Sequence, residues 1–243
     1  MLSFPSLVVI VKLAKSTLHA VFVAAGFVVL LLLNLTAPSS GAETSRGLDR
    51  FESEIIAYEN KDKKNPPPQG QTVFIGSSTF TRWETLNKDL RKLHPVNRGF
   101  GGSTIAEINH YEKRLMANLH PSRIVFYAGT NDIAEGHTAQ QVCDDYKAFV
   151  RMAQEDAPGA DIYFISMSVA PSRISMQDVF DRGNQLIAEF IKTDPKLHFI
   201  DVRSAMRDKN NQLRASYFGP DHLHMTHAGY EAWIPIIERA LAN

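Results

Sequence analysis

The stretch Asp221-His222-Leu223-His224-Met225-Thr226-His227 puts three imidazoles and one carboxylate within seven residues. Two chemistries suit that set. Three histidines can fill three positions of a zinc site and leave the fourth to water. Alternatively, Asp221 and His224 form the oriented half of a nucleophilic triad. A single turn between them returns the carboxylate to the imidazole Nδ1 and leaves Nε2 for a hydroxyl from elsewhere. The stretch alone supports either chemistry.

Three upstream segments carry compatible groups. In Phe74-Ile75-Gly76-Ser77-Ser78-Thr79-Phe80, a glycine that permits a tight turn precedes two serines. Phe80 stands where the G-x-S-x-G elbow needs its second glycine, so that motif is absent. The segment from Val96 to Ile108, "VNRGFGGSTIAEI", places three glycines before a helix start. Thr104 replaces the third glycine of a dinucleotide fingerprint. The loop is either a flexible turn or a set of N–H groups, Gly102 among them, aimed at an anion. In Gly129-Thr130-Asn131-Asp132, the asparagine is either a turn former or a side-chain amide beside the same pocket. Together these supply a hydroxyl, an imidazole, a carboxylate and donors for a tetrahedral oxyanion, which is what serine hydrolysis requires. The metal reading uses none of the serine, glycine or asparagine.

The surrounding pattern says what positions them. Short apolar runs at "TVFIG", "RIVFYAG", "DIYFIS" and "LHFIDV" suit strands buried on both faces. Helical periodicity lies between them, over 104–119 (Ile105, Ile108, Leu115, Leu119), 138–153 (Val142, Tyr146, Phe149, Val150), 176–192 (Val179, Leu186, Ile187, Phe190, Ile191) and about 227–241 (Ala228, Trp233, Ile236, Ile237, Leu241). Thr104 with Glu107 and Thr138 with Gln141 are capping boxes, and Thr226 is an N-cap. Alternation of strand and helix predicts an α/β sandwich on a parallel sheet, with active residues at the strands' carboxyl ends.

Residues 1–19 carry Lys12, Lys15 and His19 and no acid, and Ala20–Leu33 contains no polar residue. Residues 1–42 therefore read as an export signal, with Ser40-Gly41-Ala42 as the cleavage site, or as an uncleaved membrane anchor. Residues 43–70 read as a lead-in helix (Leu48, Phe51, Ile55, Tyr58) and a proline-rich linker, and 71–243 as one catalytic domain. Without Lys12 and Lys15, the 26 basic residues fall to 24 against 26 acidic ones, a net charge of −2. Nothing in that balance points to nucleic acid. The lone Cys143 allows no internal disulfide and reads as a packing residue in a helix.

The four segments resemble the consensus blocks of the SGNH (GDSL-type) hydrolase superfamily: "GSS", "NRGFGGST", "GTND" and "DHLH", in the family's order, across residues 74–230. The resemblance implies Ser78 as nucleophile, His224 as general base and Asp221 as its orienting partner. It implies an oxyanion hole of the Ser78 and Gly102 N–H groups and the Asn131 side chain. It also implies a three-layer, flavodoxin-like α/β/α sandwich of about five mainly parallel strands, with no cofactor and no metal. The family's first block has Asp where this chain has Ser77. Counting from Gly76 selects Ser78 between the two serines.

The functional expectation is an exported serine esterase that forms an acyl-enzyme. Its substrate would be a small-molecule, lipid or acylated-carbohydrate ester. An O-acyltransferase with the same acyl-enzyme, a metal-dependent hydrolase on the tail histidines, and a non-catalytic carbohydrate-binding module are the alternatives. His222 is expected at the surface or in packing, and His227 in the first turn of the last helix. Arg173, in the loop 168–176, reads as a solvated arginine, with contact to an anionic group as the alternative.

Overall fold

Four of the five strands arise from the continuous apolar runs. The structure, a computed structural model, describes residues 47–242. Its strands are β1 (Thr72–Gly76), β2 (Pro95–Gly99), β3 (Arg123–Tyr127), β4 (Asp161–Ile165) and β5 (Leu197–Ile200). All pairings are parallel, in the order β2-β1-β3-β4-β5. Successive side chains enter opposite layers. Val73, Ile75, Ile124, Phe126, Ile162 and Phe164 face one core, while Phe74, Val125, Tyr127, Tyr163 and Ile165 face the other. Burial on both faces is why these runs are uniformly apolar rather than alternating.

The helices are α1 (Glu52–Lys64), α2 (Ser78–Thr81), α3 (Leu86–Asp89), α4 (Ile105–Met116), α5 (Thr130–Ala134), α6 (Ala139–Asp156), α7 (Gln177–Ile191) and α8 (His227–Leu241). One layer contains α1, α4, α6 and α7, and the other contains α8 with the short α2 and α3. The result is a three-layer α/β/α sandwich. Both capping boxes form, each with the threonine side chain on the N3 N–H and the N3 side chain on the threonine N–H. Cys143 is buried in α6.

Three sequence expectations need correction. The stretch that becomes β2 reads as an approach to the glycine loop, not as a strand. It lies at the sheet edge and carries Asn97 and Arg98, so it has no apolar run. Arg98 is nonetheless 3% exposed, because it donates to Leu115 O and pairs with Asp62 of α1. Val179 is 37% exposed, since the buried stripe of α7 runs through Phe180, Gly183, Asn184, Ile187 and Ile191. Thr226 occupies the N-cap of α8, but its hydroxyl donates to Ser216 O and caps nothing.

The lead-in packs against the sandwich. Phe51 and Ile55 are buried in its core, and Tyr58 Oη donates to Gly99 O. The apolar run 20–33 lies outside the described residues. Among the described residues no helix is long and apolar enough to cross a membrane.

Candidate active site

The loops after β1, β2 and β3 and the tail after β5 meet at the carboxyl edge of the sheet. The order 2-1-3-4-5 reverses direction between β1 and β3, which is where doubly wound folds open a crevice. Gly76 ends β1, and a Cβ there would lie 2.2 Å from Tyr127 O. Only glycine lets the chain turn so close to β3. Ser77 follows in extended conformation, 1% exposed, with its N–H on Tyr127 O at 3.2 Å. Ser78 then opens α2 and lines the crevice.

The tail builds its own turn. Asp221 Oδ1 accepts the N–H groups of Leu223 and His224, both at 3.0 Å, and Oδ2 lies 2.6 Å from His224 Nδ1. His222 takes the left-handed conformation (φ 54°) that this turn demands. Gly219 N donates to His224 O at 2.8 Å and closes the loop. Across the crevice, His224 Nε2 is 3.0 Å from Ser78 Oγ. Tyr230 Oη of α8 donates to Thr79 O at 2.8 Å, which ties the tail's helix to the serine turn. The imidazole and two backbone N–H groups hold the Asp221 carboxyl well below the usual carboxylate range. An ionised Asp221 on Nδ1 selects the tautomer with its proton on Nδ1, leaving the Nε2 lone pair for the serine hydroxyl.

Gly102 (φ 78°) and Asn131 border the same crevice. A Cβ on Gly102 would meet nothing within 4 Å, so the loop is open on that side of the glycine. Asn131 Nδ2 donates to Ser103 O at 3.0 Å, and its Oδ1 accepts Arg173 Nη2 at 2.9 Å. Those two bonds fix which end of the amide is which, and one N–H remains for the crevice. Gly129 (φ 101°) makes this possible, because a Cβ there would lie 2.7 Å from Met167 Sδ.

Ser78, Asp221, His224, Gly102 and Asn131 are thus brought together. The other tail histidines are not. His222 is exposed, and His227, 54% exposed, turns to Thr85 and Glu231. Among the described residues, the one set of His and carboxylate groups close enough for an ion is Asp132, His137 and Asp145, which contains no tail residue.

Residues 69–232 match the family model described as "GDSL-like Lipase/Acylhydrolase family". The chain belongs to that family. This GDSL-like acylhydrolase is 27% identical, over 174 residues, to bovine (Bos taurus) platelet-activating factor acetylhydrolase IB subunit alpha1. The match covers 70% of the chain and 73% of the relative. Chicken (Gallus gallus) subunit alpha2 is 24% identical over 205 residues, covering 81% and 86%. Two solved structures share the acylhydrolase's fold. A GDSL-like lipase from Bacteroides thetaiotaomicron superposes with TM-score 0.64 at 22% identity, over 77% of this chain and 97% of that one. An acetylxylan esterase from Geobacillus stearothermophilus gives TM-score 0.56 at 16%, over 72% and 94%.

Of three supporting residues of the acylhydrolase, Arg50 and Asp132 escaped the sequence reading and Arg173 was assigned to the wrong surroundings. Arg173, expected in solvent, is half-buried and clamps Thr130 O and Asn131 Oδ1, each at 2.9 Å. Arg50, in the lead-in, donates to Gly102 O at 3.3 Å and pairs with Glu107, the α4 capping residue. No local pattern links residues so far apart. Asp132 is fully buried and accepts Ile105 N at 2.9 Å, joining α5 to the start of α4. Burial pushes its carboxyl up to about 6.

Proposed function

We propose that the protein is a serine esterase for short acyl groups, and the observation that carries this is the Ser78–His224–Asp221 relay. Ser78 Oγ attacks the ester carbonyl as His224 Nε2 takes its proton. His224 then passes that proton to the departing alcohol, and water repeats the cycle on the acyl-serine. The N–H groups of Ser78 and Gly102 and the free N–H of Asn131 stabilise the oxyanion. The residues in place need no metal ligand from the tail histidines.

The acyl side is confined. The cavity beside Ser78, closed by Tyr127, Met206, Phe218 and Trp233, offers about 30 Å³. That is room for a methyl-sized group, which supports acetyl esters as substrates. The bovine relative is named an acetylhydrolase and the Geobacillus neighbour an acetylxylan esterase, in keeping with that size. The basic, then apolar residues 1–42 support export, with the catalytic domain outside the cytoplasm and the segment either cleaved or kept as an anchor.

Turnover of nitrophenyl esters across acyl lengths tests the reading. Acetate should exceed hexanoate in kcat/KM by about 100-fold, since each added methylene must displace packed side chains. Equal rates would remove the acyl-pocket assignment. Free acetate released without an added acceptor separates hydrolysis from transfer to a sugar hydroxyl.

Asn131 gives a second test. Asn131→Ala should fold, react at Ser78 and lose about 100- to 1000-fold in kcat with little change in KM. Asn131→Asp should do no better, because a carboxylate repels the oxyanion. Wild-type kcat in Asn131→Ala would reduce the residue to a turn former.

A further inference from the structure

Two cavities meet at Ser78 and His224, and they differ in kind. The first, of about 30 Å³, is the one assigned above to the acyl group, and Arg173 lies at the border of both. The second, of about 440 Å³, opens to solvent between Arg82, Gly102 and Leu223. An ester lying across Ser78 with its acyl group in the first must place its alcohol in the second.

The wall of this second cleft carries Arg82 and Arg173 and no Asp or Glu. Arg50, Arg98, Arg114 and Arg203 each hold at least one carboxylate. The two at the cleft do not, among the described residues. Arg82 is exposed, and its side chain makes no hydrogen bond or ion pair there. Arg173 spends two N–H groups on Thr130 O and Asn131 Oδ1. A guanidinium has five, so three remain. Glu135, whose charge reaches Arg173, lies 3.6 Å from Arg50. Asp221, the acid of the tail, is occupied by His224 and two backbone N–H groups.

A half-buried guanidinium without a counter-ion has lost hydration, and its two neutral acceptors leave its charge uncompensated. Consistent with that, burial draws Arg173 below its ordinary pKa. Such a site gains most from an anion that arrives with the substrate. We propose that this cleft is a subsite for an anionic group on the alcohol, so that the preferred substrate is a short-chain ester of a phosphorylated, sulfated or carboxylated alcohol. The inference rests on the esterase reading.

Arg173 contributes its fork at short range, where planar bidentate geometry suits oxyanions. Arg82, further into solvent, contributes attraction that salt screens. During acylation the bond from Ser78 Oγ to the carbonyl carbon forms, and the bond to the alcohol oxygen breaks. His224 returns the serine proton to that oxygen, and the anionic group departs with the alcohol unchanged.

The test compares matched acetates within each variant. One pair is 1-acetylglycerol 3-phosphate against 1-acetylglycerol, and the other is the acetate of 3-hydroxybenzoate against that of its methyl ester. The wild-type ratio of kcat/KM, anionic over neutral, should be about 10- to 100-fold for at least one pair, as for a hydrogen bond to a charged group. It should fall towards one in Arg82→Gln and at high salt. A wild-type ratio of one for both pairs overturns the proposal, and so does a ratio that Arg82→Gln and Arg173→Lys leave intact. Calorimetric binding of glycerol 3-phosphate or glucuronate to the resting protein needs no turnover and shows which anion is taken. Arg82-dependent binding with no ester turnover would sink the esterase reading and keep the subsite. Turnover of neutral acetates with no binding of either anion would do the reverse.

Discussion

Ser78→Ala is expected to lower kcat by about six orders of magnitude, the scale seen when a triad nucleophile is removed. The residual rate would come from the oxyanion donors and from binding. Folding should be unaffected, because the hydroxyl lies at the crevice and bonds only to His224. Ser77→Ala is the control. Ser77 is 1% exposed, does not line the crevice, and meets its neighbours through its backbone. It should keep at least part of the activity. Mass mapping of a serine-directed phosphonate should find the adduct on Ser78. An adduct on Ser77 would move the nucleophile one residue and break the block alignment.

His224→Ala is expected to cost kcat about 10⁴- to 10⁶-fold, because Ser78 then has no acceptor for its proton. The neighbouring histidines should matter far less. His227→Ala removes an exposed ring that faces Thr85 and Glu231. His222 is better changed to asparagine, which tolerates the left-handed backbone there, so that any loss reports the ring and not the turn. Both should stay within about tenfold of wild type, as surface changes outside the relay do. Activity should also survive a chelator. Abolition by chelation with recovery on added zinc would restore the metal reading of the tail.

The sandwich was legible because β1, β3 and β4 are buried on both faces and β5, though at an edge, is also apolar, which writes four apolar runs into the chain. The other edge strand, β2, was not, since Asn97 and Arg98 occupy it and their partners, Phe80 O and Asp62, come from other elements. The site groups were legible in the same way that they are clustered. Each sits within two or three residues of a glycine or of its own partner, so a short motif carries it. Arg173 and Arg50 were not, because what they hold lies 42 and 52 residues away along the chain. Ser77 and Ser78 could be ranked only by counting from Gly76. Burial separates them directly, and burial is a property of the folded crevice.

Asp221 and His224 are three residues apart, whereas Ser78 is 146 residues from His224. The aim of the imidazole is therefore fixed inside one tail turn, and only the distance to the serine depends on the rest of the chain. The ties that cross that gap are mostly made by α8, with the Tyr230 hydroxyl on Thr79, the Trp83–Tyr230 stack at 4.7 Å and the Tyr127–Trp233 contact at 5.2 Å, while the turn itself is held by the Ser172 N–H on His222 O. Proteins open in cooperative pieces of unequal stability. If the exposed turn that carries Asp221 and His224 loosens as one such piece, an intact but misplaced base swings away while α8 and the core stay folded. Catalysis would then fade on heating before the far-ultraviolet signal of the sheet and helices does, and would return on cooling without refolding the core.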